Sequence, residues 1–388
     1  MEARKPVSLL KGKDNKAQTY PDEPNRFIED MIDPFLLWCV KKNASDITIQ
    51  TDRPAYTEID GVLYPATFRP VDSADMNVFL TRIYGPEAGA RLASAKDLDL
   101  SYEIKPDRYT RIRFRVNITA ILSRGRDSAS ITMRVLPSTP PTMDELNIEQ
   151  EIKDAWYPRQ GMVIVTGPTG SGKTTLLAAG IRMNMERKFG CGKVVCYESP
   201  IEYVYDAIKS PRSLISQTEV PRHLPSFAKG VRNALRRKPE IILVGEARDT
   251  ETISASIEAS QTGHTVYTTT HTIGVAATIQ RMVSTFGPEE RSERAYALME
   301  TIRLVVTQSL VPKIGGGRMG VREWMIFPDD FREKLLDMAF EEWPAEISRR
   351  INQYGQSMAK SATIVFEKGQ ISRRHYLMLS SSTSSGEN

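Results

Sequence analysis

The chain has 388 residues, of which 40% are hydrophobic, and a formal net charge of +4 from 52 Lys and Arg against 48 Asp and Glu. This length predicts two domains, each with its own core. Because the two signs of charge are mixed along the sequence, the charge balance alone does not point to a nucleic-acid partner. Cys39, Cys191 and Cys196 lack CxxC spacing. They predict reduced, buried thiols of a cytosolic protein, with neither a disulfide framework nor a zinc site.

No window of the sequence approaches the roughly twenty apolar residues that cross a bilayer. The apolar run at residues 7–10 is too short for the core of a signal peptide. We therefore expect a soluble, cytoplasmic protein whose association with a membrane comes through partners. Residues 1–23 are predicted to be a flexible segment, and the serine-rich residues 379–388 a disordered tail.

Residues 24–136 predict an α+β domain. An apolar periodic stretch at its start predicts a helix that is interrupted or kinked near Pro34, and a second helix is predicted at about residues 74–84. The strand-like segments are residues 46–50, 55–59, 98–104, 112–122 and 129–135. The proline-rich residues 137–148 predict a stiff linker, because proline fixes φ and keeps its neighbour out of a helix.

Strands and helices alternate in residues 149–378, which is typical of a mostly parallel α/β sheet. The predicted strands are residues 162–166, 194–197, 241–244 and 265–270. The predicted helices are residues 173–185, 227–237, 250–262 and 275–286. A tail of helices is expected after the glycine-rich turn at residues 315–318.

The segment GPTGSGKTT matches the pattern G-x-x-x-x-G-K-[ST] between a predicted strand and a predicted helix. Backbone N–H groups at such a turn point towards phosphates, and the helix dipole adds partial positive charge. Lys173 is expected to reach the β- and γ-phosphates, and the Thr174 hydroxyl to bind Mg²⁺. The segment therefore predicts an ATP site. Its residues are Gly167, Pro168, Thr169, Gly170, Ser171, Gly172, Lys173, Thr174 and Thr175.

ATP hydrolysis requires a carboxylate near the γ-phosphate, at the end of a neighbouring strand. Glu246 ends one such strand, and Glu198 and Glu202 follow the strand before it in sequence. Without a phosphate loop nearby, exposed glutamates near strand ends are usually plain solvated charges. His264 and His271 flank the strand TVYTTT, where they can contact the γ-phosphate or a neighbouring subunit through hydrogen bonds.

These segments, with ASDITIQ near Ala44, RFRVN from Arg113 and KIGGGR from Lys313, resemble the ring ATPases of the secretion superfamily in order and spacing. That family includes PilT-type pilus-retraction motors and type IV secretion ATPases. The resemblance extends over about residues 45–325 and is greatest to the type IVB secretion and conjugation branch. It implies a RecA-like P-loop NTPase domain, preceded by a smaller α+β, PAS-like domain, in a homohexameric ring with ATP and Mg²⁺ as cofactors.

The resemblance also implies roles for individual residues. It makes Lys173, Glu246 and Glu202 the catalytic residues, with Glu202 handling the attacking water. Thr174, Glu198 and Glu246 are implied to coordinate Mg²⁺, partly through water. Further nucleotide contacts are implied for Arg113, Arg124, Arg134, Arg281, His264 and His271.

The sequence departs from the family pattern at several positions. Ser199 stands where an aspartate is usual, which removes one metal-associated carboxylate, and Thr48 replaces a common histidine. Residues 206–217 and the stretch from Phe331 onward differ from PilT. These differences favour an ATPase that energises type IVB secretion or conjugation, associated with membrane-embedded apparatus proteins on the cytoplasmic side of the inner membrane.

Three alternatives stay open: a pilus-retraction motor, a nucleic-acid translocase and a scaffold that binds ATP without hydrolysing it. The basic runs at residues 232–238 and 348–350 are typical of solvated helix faces. Nucleic acid is therefore an unfavoured partner.

Overall fold

The computed structural model describes residues 19–108, 110–137 and 139–381. It divides into two compact units, Met1–Ser138 and Thr139–Asn388. Most of the predicted flexible segment 1–23 and of the predicted tail 379–388 lies outside the described residues. Among the described helices, none combines the length and the apolar character that are needed to cross a membrane.

The N-terminal unit is built on a six-stranded antiparallel sheet with the strand order β3-β2-β1-β6-β5-β4. Its elements are α1 Glu29–Lys41, β1 Asp46–Gln50, β2 Tyr56–Ile59, β3 Val62–Pro65, α2 Ser73–Ile83, α3 Ala88–Ala93, β4 Leu98–Ile104, β5 Ile112–Ser123 and β6 Arg126–Leu136. Helix α1 runs through Pro34 without a break, because Ile32, Phe35 and Leu36 bury one face of it in the core of the unit. Strand β3 and helix α3 were not predicted from the sequence.

The C-terminal unit contains an eight-stranded sheet with the order β14-β13-β12-β7-β11-β10-β8-β9. Its elements are α4 Gln150–Ala155, β7 Gly161–Thr166, α5 Lys173–Met185, β8 Gly192–Glu198, β9 Ser213–Glu219, α6 Phe227–Ala234, β10 Ile241–Val244, α7 Thr250–Gln261, β11 Thr265–Thr269, α8 Val275–Ser284, α9 Pro288–Thr301, β12 Ile302–Pro312, β13 Arg318–Ile326, α10 Asp329–Leu336, α11 Trp343–Tyr354, β14 Gly355–Gln356, α12 Met358–Glu367 and α13 Arg373–Ser381. The six strands from β12 to β9 are mutually parallel, whereas β13 and β14 are antiparallel to their neighbours. An α+β unit therefore precedes an α/β unit, as the sequence predicts.

Helix α5 lies close to the sheet because it carries a glycine where it meets a tryptophan. A Cβ on Gly180 would lie 2.0 Å from the ring of Trp156, which is fully buried. Tyr267 of β11 donates a hydrogen bond to the Trp156 carbonyl at 2.5 Å and receives one from Asn184 of α5 at 3.0 Å. These contacts orient α5 on the sheet, and with it the loop that connects β7 to α5.

The hairpin of β12 and β13 was not predicted from the sequence: no strand was expected at residues 302–312, and helices were expected where β13 lies. Polar residues interrupt its apolar pattern, and several of them are buried between the sheet and the helices: Thr307, Gln308 and Arg322 are each less than 5% exposed. Met143 and Ile148, in the segment 137–148 that was predicted to be a linker, are buried in the core of the C-terminal unit.

Glu323 of β13 joins the N-terminal ends of two helices. Its carboxylate accepts hydrogen bonds from the backbone N–H of Val275 in α8 at 2.8 Å and of Met358 in α12 at 3.3 Å. A carboxylate at a helix N-terminus satisfies an unpaired N–H group and interacts favourably with the helix dipole.

We expect Glu323→Ala to lower the free energy of unfolding by about 2 kcal/mol, because two helix ends lose a charged acceptor at once. Urea denaturation followed by circular dichroism measures the change. Replacing the exposed Glu341 by alanine is the matched control. Equal effects of the two substitutions would contradict the capping role.

Candidate nucleotide-binding site

The phosphate loop connects β7 to α5 through three glycines with positive φ: Gly167 at 140°, Gly170 at 78° and Gly172 at 81°. Residues other than glycine rarely adopt these backbone conformations. The crest of the loop, from Pro168 to Gly170, is exposed, whereas Ser171 is buried. The loop therefore presents its backbone to solvent at the start of a helix, where anions bind.

Lys173 lies folded into this loop and is only 8% exposed. Its ammonium group donates hydrogen bonds to the carbonyl oxygens of Gly167 at 2.8 Å and Pro168 at 3.0 Å. Burial lowers the pKa of Lys173, and the negative charges of Glu246 and Glu202 act in the opposite direction. The positive charge is thus held at the centre of the loop, where phosphate oxygens can replace the carbonyl partners.

His271 lies between Lys173 and Glu246. Its Nδ1 atom is 3.5 Å from Lys173 Nζ, and its Nε2 atom is 3.2 Å from Glu246 Oε1. The second oxygen of Glu246 lies 4.0 Å from the guanidinium of Arg248, which is exposed. The structure therefore brings together Lys173, one of the two predicted histidines and one of the predicted carboxylates.

A cluster of threonine hydroxyls holds the segment that carries His271. Thr166, the last residue of β7, donates to the carbonyl of Thr272 at 2.5 Å and accepts from Thr270 at 2.9 Å. Thr272 in turn shares a hydrogen bond of 2.9 Å with Thr278 of α8. Sequence reasoning missed this cluster, although the run of threonines around the histidine was its visible signal.

Glu198 ends β8 and is 7% exposed. Gln217 of β9 donates to Glu198 Oε1 at 2.9 Å and to the carbonyl of Tyr203 at 2.7 Å. The Tyr203 hydroxyl lies 3.0 Å from the hydroxyl of Thr175, in the first turn of α5. The segment after β8, which carries the half-buried Glu202, is thereby held beside the phosphate loop.

His264 is not brought to the phosphate loop within the C-terminal unit. It immediately precedes β11, and its carbonyl accepts a hydrogen bond from Gly161, the first residue of β7, at 3.0 Å. Because the two strands are parallel, His264 lies at the opposite edge of the sheet from the loop. Its Nδ1 atom is 3.0 Å from the carbonyl of Ala259. A role for His264 in nucleotide binding stays a prediction.

The four arginines assigned to the nucleotide occupy different places. Arg281 is exposed on α8. In the N-terminal unit, Arg113 pairs with Glu103 at 3.9 Å, Arg124 with Asp52 at 3.8 Å and Arg134 with Asp46 at 2.9 Å. Their contacts with phosphates stay predictions.

A cavity of about 820 Å³ lies next to the start of α5. Gly172, Thr175 and Tyr203 line one side of it, and side chains of β12, β13 and α12 line the other. Its volume is within the range of small-molecule sites. The apolar side chains of Leu310 and Ile364 on its wall suit a flat aromatic base.

The donors in the site fit Mg²⁺ that arrives with ATP. Among the described residues there is no group of three or more His, Cys, Asp and Glu side chains that could hold a metal ion by themselves. Mg²⁺ commonly uses one or two protein oxygens, several waters and phosphate oxygens. The Thr174 hydroxyl and the carboxylate of Glu246 are oxygen donors of this kind, and Glu198 offers a third that is already hydrogen-bonded to Gln217.

We expect Gly167→Ala to destabilise the unit by about 3 kcal/mol through overpacking and backbone strain. A Cβ at this position would lie 2.3 Å from the backbone oxygen of Gln308, in a strand that is paired on both sides. Gly170→Ala is the control, since its φ is also positive but nothing lies within 4 Å of the added atom. It should cost only about 1 kcal/mol.

The midpoints of urea denaturation without nucleotide measure both changes. If the two variants are equally stable, the loop is not held by close packing against Gln308.

The family described as "Type II/IV secretion system protein" matches residues 22–343. Over 344 residues, the chain is 35% identical to the type IV pilus retraction ATPase PilT of Pseudomonas aeruginosa, covering 89% of this chain and 96% of that protein. The X-ray structure of the Legionella pneumophila ATPase DotB matches with a TM-score of 0.88 and 46% identity, over 94% of this chain and 99% of that one. The structure of the pilus retraction motor PilT with bound ADP matches with a TM-score of 0.78 and 28% identity, over 90% and 96%.

Proposed function

Because this chain belongs to the type II/IV secretion system protein family, we propose that it is a homohexameric ATPase that energises substrate translocation or assembly in a type IVB secretion or conjugation system. The observation that carries the proposal is the likeness to DotB, which extends over nearly the whole of both chains at 46% identity. ATP hydrolysis itself is supported by relatives that are ATPases and by a structural neighbour that binds ADP.

The residues of the phosphate loop bind and orient the nucleotide in this proposal. The β- and γ-phosphate oxygens take the place of the carbonyl groups of Gly167 and Pro168 as partners of the Lys173 ammonium. The backbone N–H groups of the loop and the dipole of α5 add to this attraction. The base occupies the cavity beside Thr175 and Tyr203. Mg²⁺, when bound with ATP, neutralises phosphate charge beside Thr174.

The two carboxylates then have different tasks. Glu202 handles the attacking water, the role that the resemblance to the secretion ATPases implies for it. Its negative charge opposes the lowering of the Lys173 pKa by burial. Glu246 is already engaged with His271 at 3.2 Å. His271 also lies beside Lys173. Loss of the γ-phosphate, a partner of Lys173, would therefore alter the contacts of both His271 and Glu246.

We further propose that the protein acts in the cytoplasm, at the inner membrane, through proteins of the secretion apparatus. A nucleic-acid translocase is disfavoured, because basic side chains in the runs at residues 232–238 and 348–350 already have partners within the protein. Arg237 donates to the Ser216 hydroxyl at 2.6 Å, and Arg349 and Arg350 both pair with the buried Glu346.

A pilus-retraction motor is the second candidate, favoured by the 35% identity to PilT over nearly all of that protein. Deletion of the gene distinguishes the two. Loss of protein secretion or plasmid transfer, restored by the wild-type gene and not by a Lys173→Ala allele, supports the first function. Loss of twitching motility with secretion intact supports the second.

We expect Lys173→Ala to abolish ATP hydrolysis, because the phosphate charge loses its buried partner. Release of inorganic phosphate from ATP and Mg²⁺ measures the activity. Replacing the exposed Lys188 by alanine is the control for loss of a lysine elsewhere. Turnover above background in the Lys173 variant would show that the loop is not the catalytic site.

We expect Glu202→Gln to reduce kcat by about 10²-fold or more while the Kd for ATP stays within about twofold, as for loss of a catalytic base. Fluorescent nucleotide titration and phosphate release measure the two quantities. Glu251→Gln, an exposed substitution on α7, is the control. A large rise in Kd instead would make Glu202 a ligand of the nucleotide or its metal.

A further inference from the structure

A buried arginine lies behind the phosphate loop. Arg322 of β13 is 3% exposed, and its guanidinium donates to four acceptors. Nε donates to Gln308 Oε1 at 2.8 Å, Nη1 to Glu149 Oε2 and to the Asn147 carbonyl, both at 3.2 Å, and Nη2 to the Leu146 carbonyl at 3.1 Å. Burial lowers the pKa of Arg322 and the charge of Glu149 raises it, but an arginine stays charged in proteins.

Gln308 joins this arginine to the phosphate loop. The two residues are directly opposite each other in the antiparallel pair of β12 and β13. The Gln308 amide accepts from Arg322 and donates to the carbonyl of Ser171, in the loop, at 2.7 Å. A Cβ on Gly172 would lie 2.9 Å from that amide nitrogen, and one on Gly167 would lie 2.3 Å from the Gln308 carbonyl. Gln308 thus touches the loop near both of its ends.

The orientation of the Ser171 carbonyl matters for phosphate binding. Each peptide unit carries its C=O and N–H in nearly opposite directions, because it is planar and trans. A carbonyl held towards Gln308 directs the N–H of the same peptide unit, that of Gly172, away from the strand. A carbonyl oxygen turned towards the phosphates would instead repel them.

Stability alone does not explain a polar chain of this kind. A buried arginine has a large desolvation cost, and an apolar pair of similar volume is often as stable. An apolar pair, however, would leave the Ser171 carbonyl without a directional partner.

We propose that Gln308 and Arg322 are positioning residues of the phosphate loop: Arg322 orients Gln308, and Gln308 orients the Ser171 peptide for phosphate binding. The same guanidinium holds residues 146–149, the segment through which the chain enters the C-terminal unit. The loop is thereby connected to that segment through two side chains. This inference rests on the proposed ATPase function.

The test uses the full chain with Gln308→Met, Arg322→Lys and the double variant. Methionine has a similar length without hydrogen-bonding groups, and lysine keeps the charge without the planar fork of donors. Gln308→Glu keeps the acceptor for Arg322, replaces the donor to Ser171 by an oxygen and adds a negative charge. Glu346→Gln is the matched control: it disturbs another network, in which the buried Glu346 pairs with Lys334, Arg349 and Arg350.

The measurements are the Kd of fluorescent ADP, the KM and kcat for ATP, and urea denaturation without nucleotide. We expect each single variant to raise Kd and KM about tenfold, and the double variant to add little, because residues that act through one chain are not additive. The Glu346→Gln control should lose stability and keep the wild-type Kd.

Three outcomes overturn the inference. If the Gln308 variants keep the wild-type Kd and KM, the loop is oriented without them. If affinity falls only in proportion to the folded fraction, or equally in the Glu346→Gln control, the network is merely structural. If wild-type protein neither binds nor hydrolyses ATP, the proposed function fails and this inference fails with it.

Discussion

The close contact between the phosphate loop and strand β12 is the constraint on which the site depends. The loop passes the Gln308 backbone so closely that a single methyl group on Gly167 would overlap it. Strand β12 itself is fixed by pairing with β7 on one side and β13 on the other. The loop, with three glycines of positive φ, is therefore packed against a strand that is fixed on both sides.

The parallel sheet then decides which side chains meet this loop. Strands β7, β11 and β10 are neighbours, so the segments after them emerge at one edge. That edge receives the loop, His271 and Glu246 from three separate parts of the chain. The contact of His271 with both Lys173 and Glu246 is the result. His264, before β11 instead of after it, lies at the other edge for the same reason.

Most of the central strands and helices could be predicted from the sequence, because their hydrophobic patterns and turn residues lie within short segments. Apolar runs bounded by turns predicted the central strands, and β7 is buried at every position. The hairpin of β12 and β13 was missed because buried polar residues interrupt its pattern. Thr307, Gln308 and Arg322 find their partners only in the folded chain.

The sequence by itself determined the family to which the chain belongs, and it predicted the phosphate loop and the carboxylates and histidines beside it, since these depend on residue types at fixed short spacings. Only the tertiary structure decided that His271 and not His264 lies near Lys173, and that Gln308, paired with Arg322, contacts the loop. These contacts with the loop join residues far apart in the sequence: His271 and Lys173 are 98 positions apart, and Gln308 and Ser171 are 137. Strand order and strand direction bring these residues together, and neither can be predicted from the spacing of residues in a short segment.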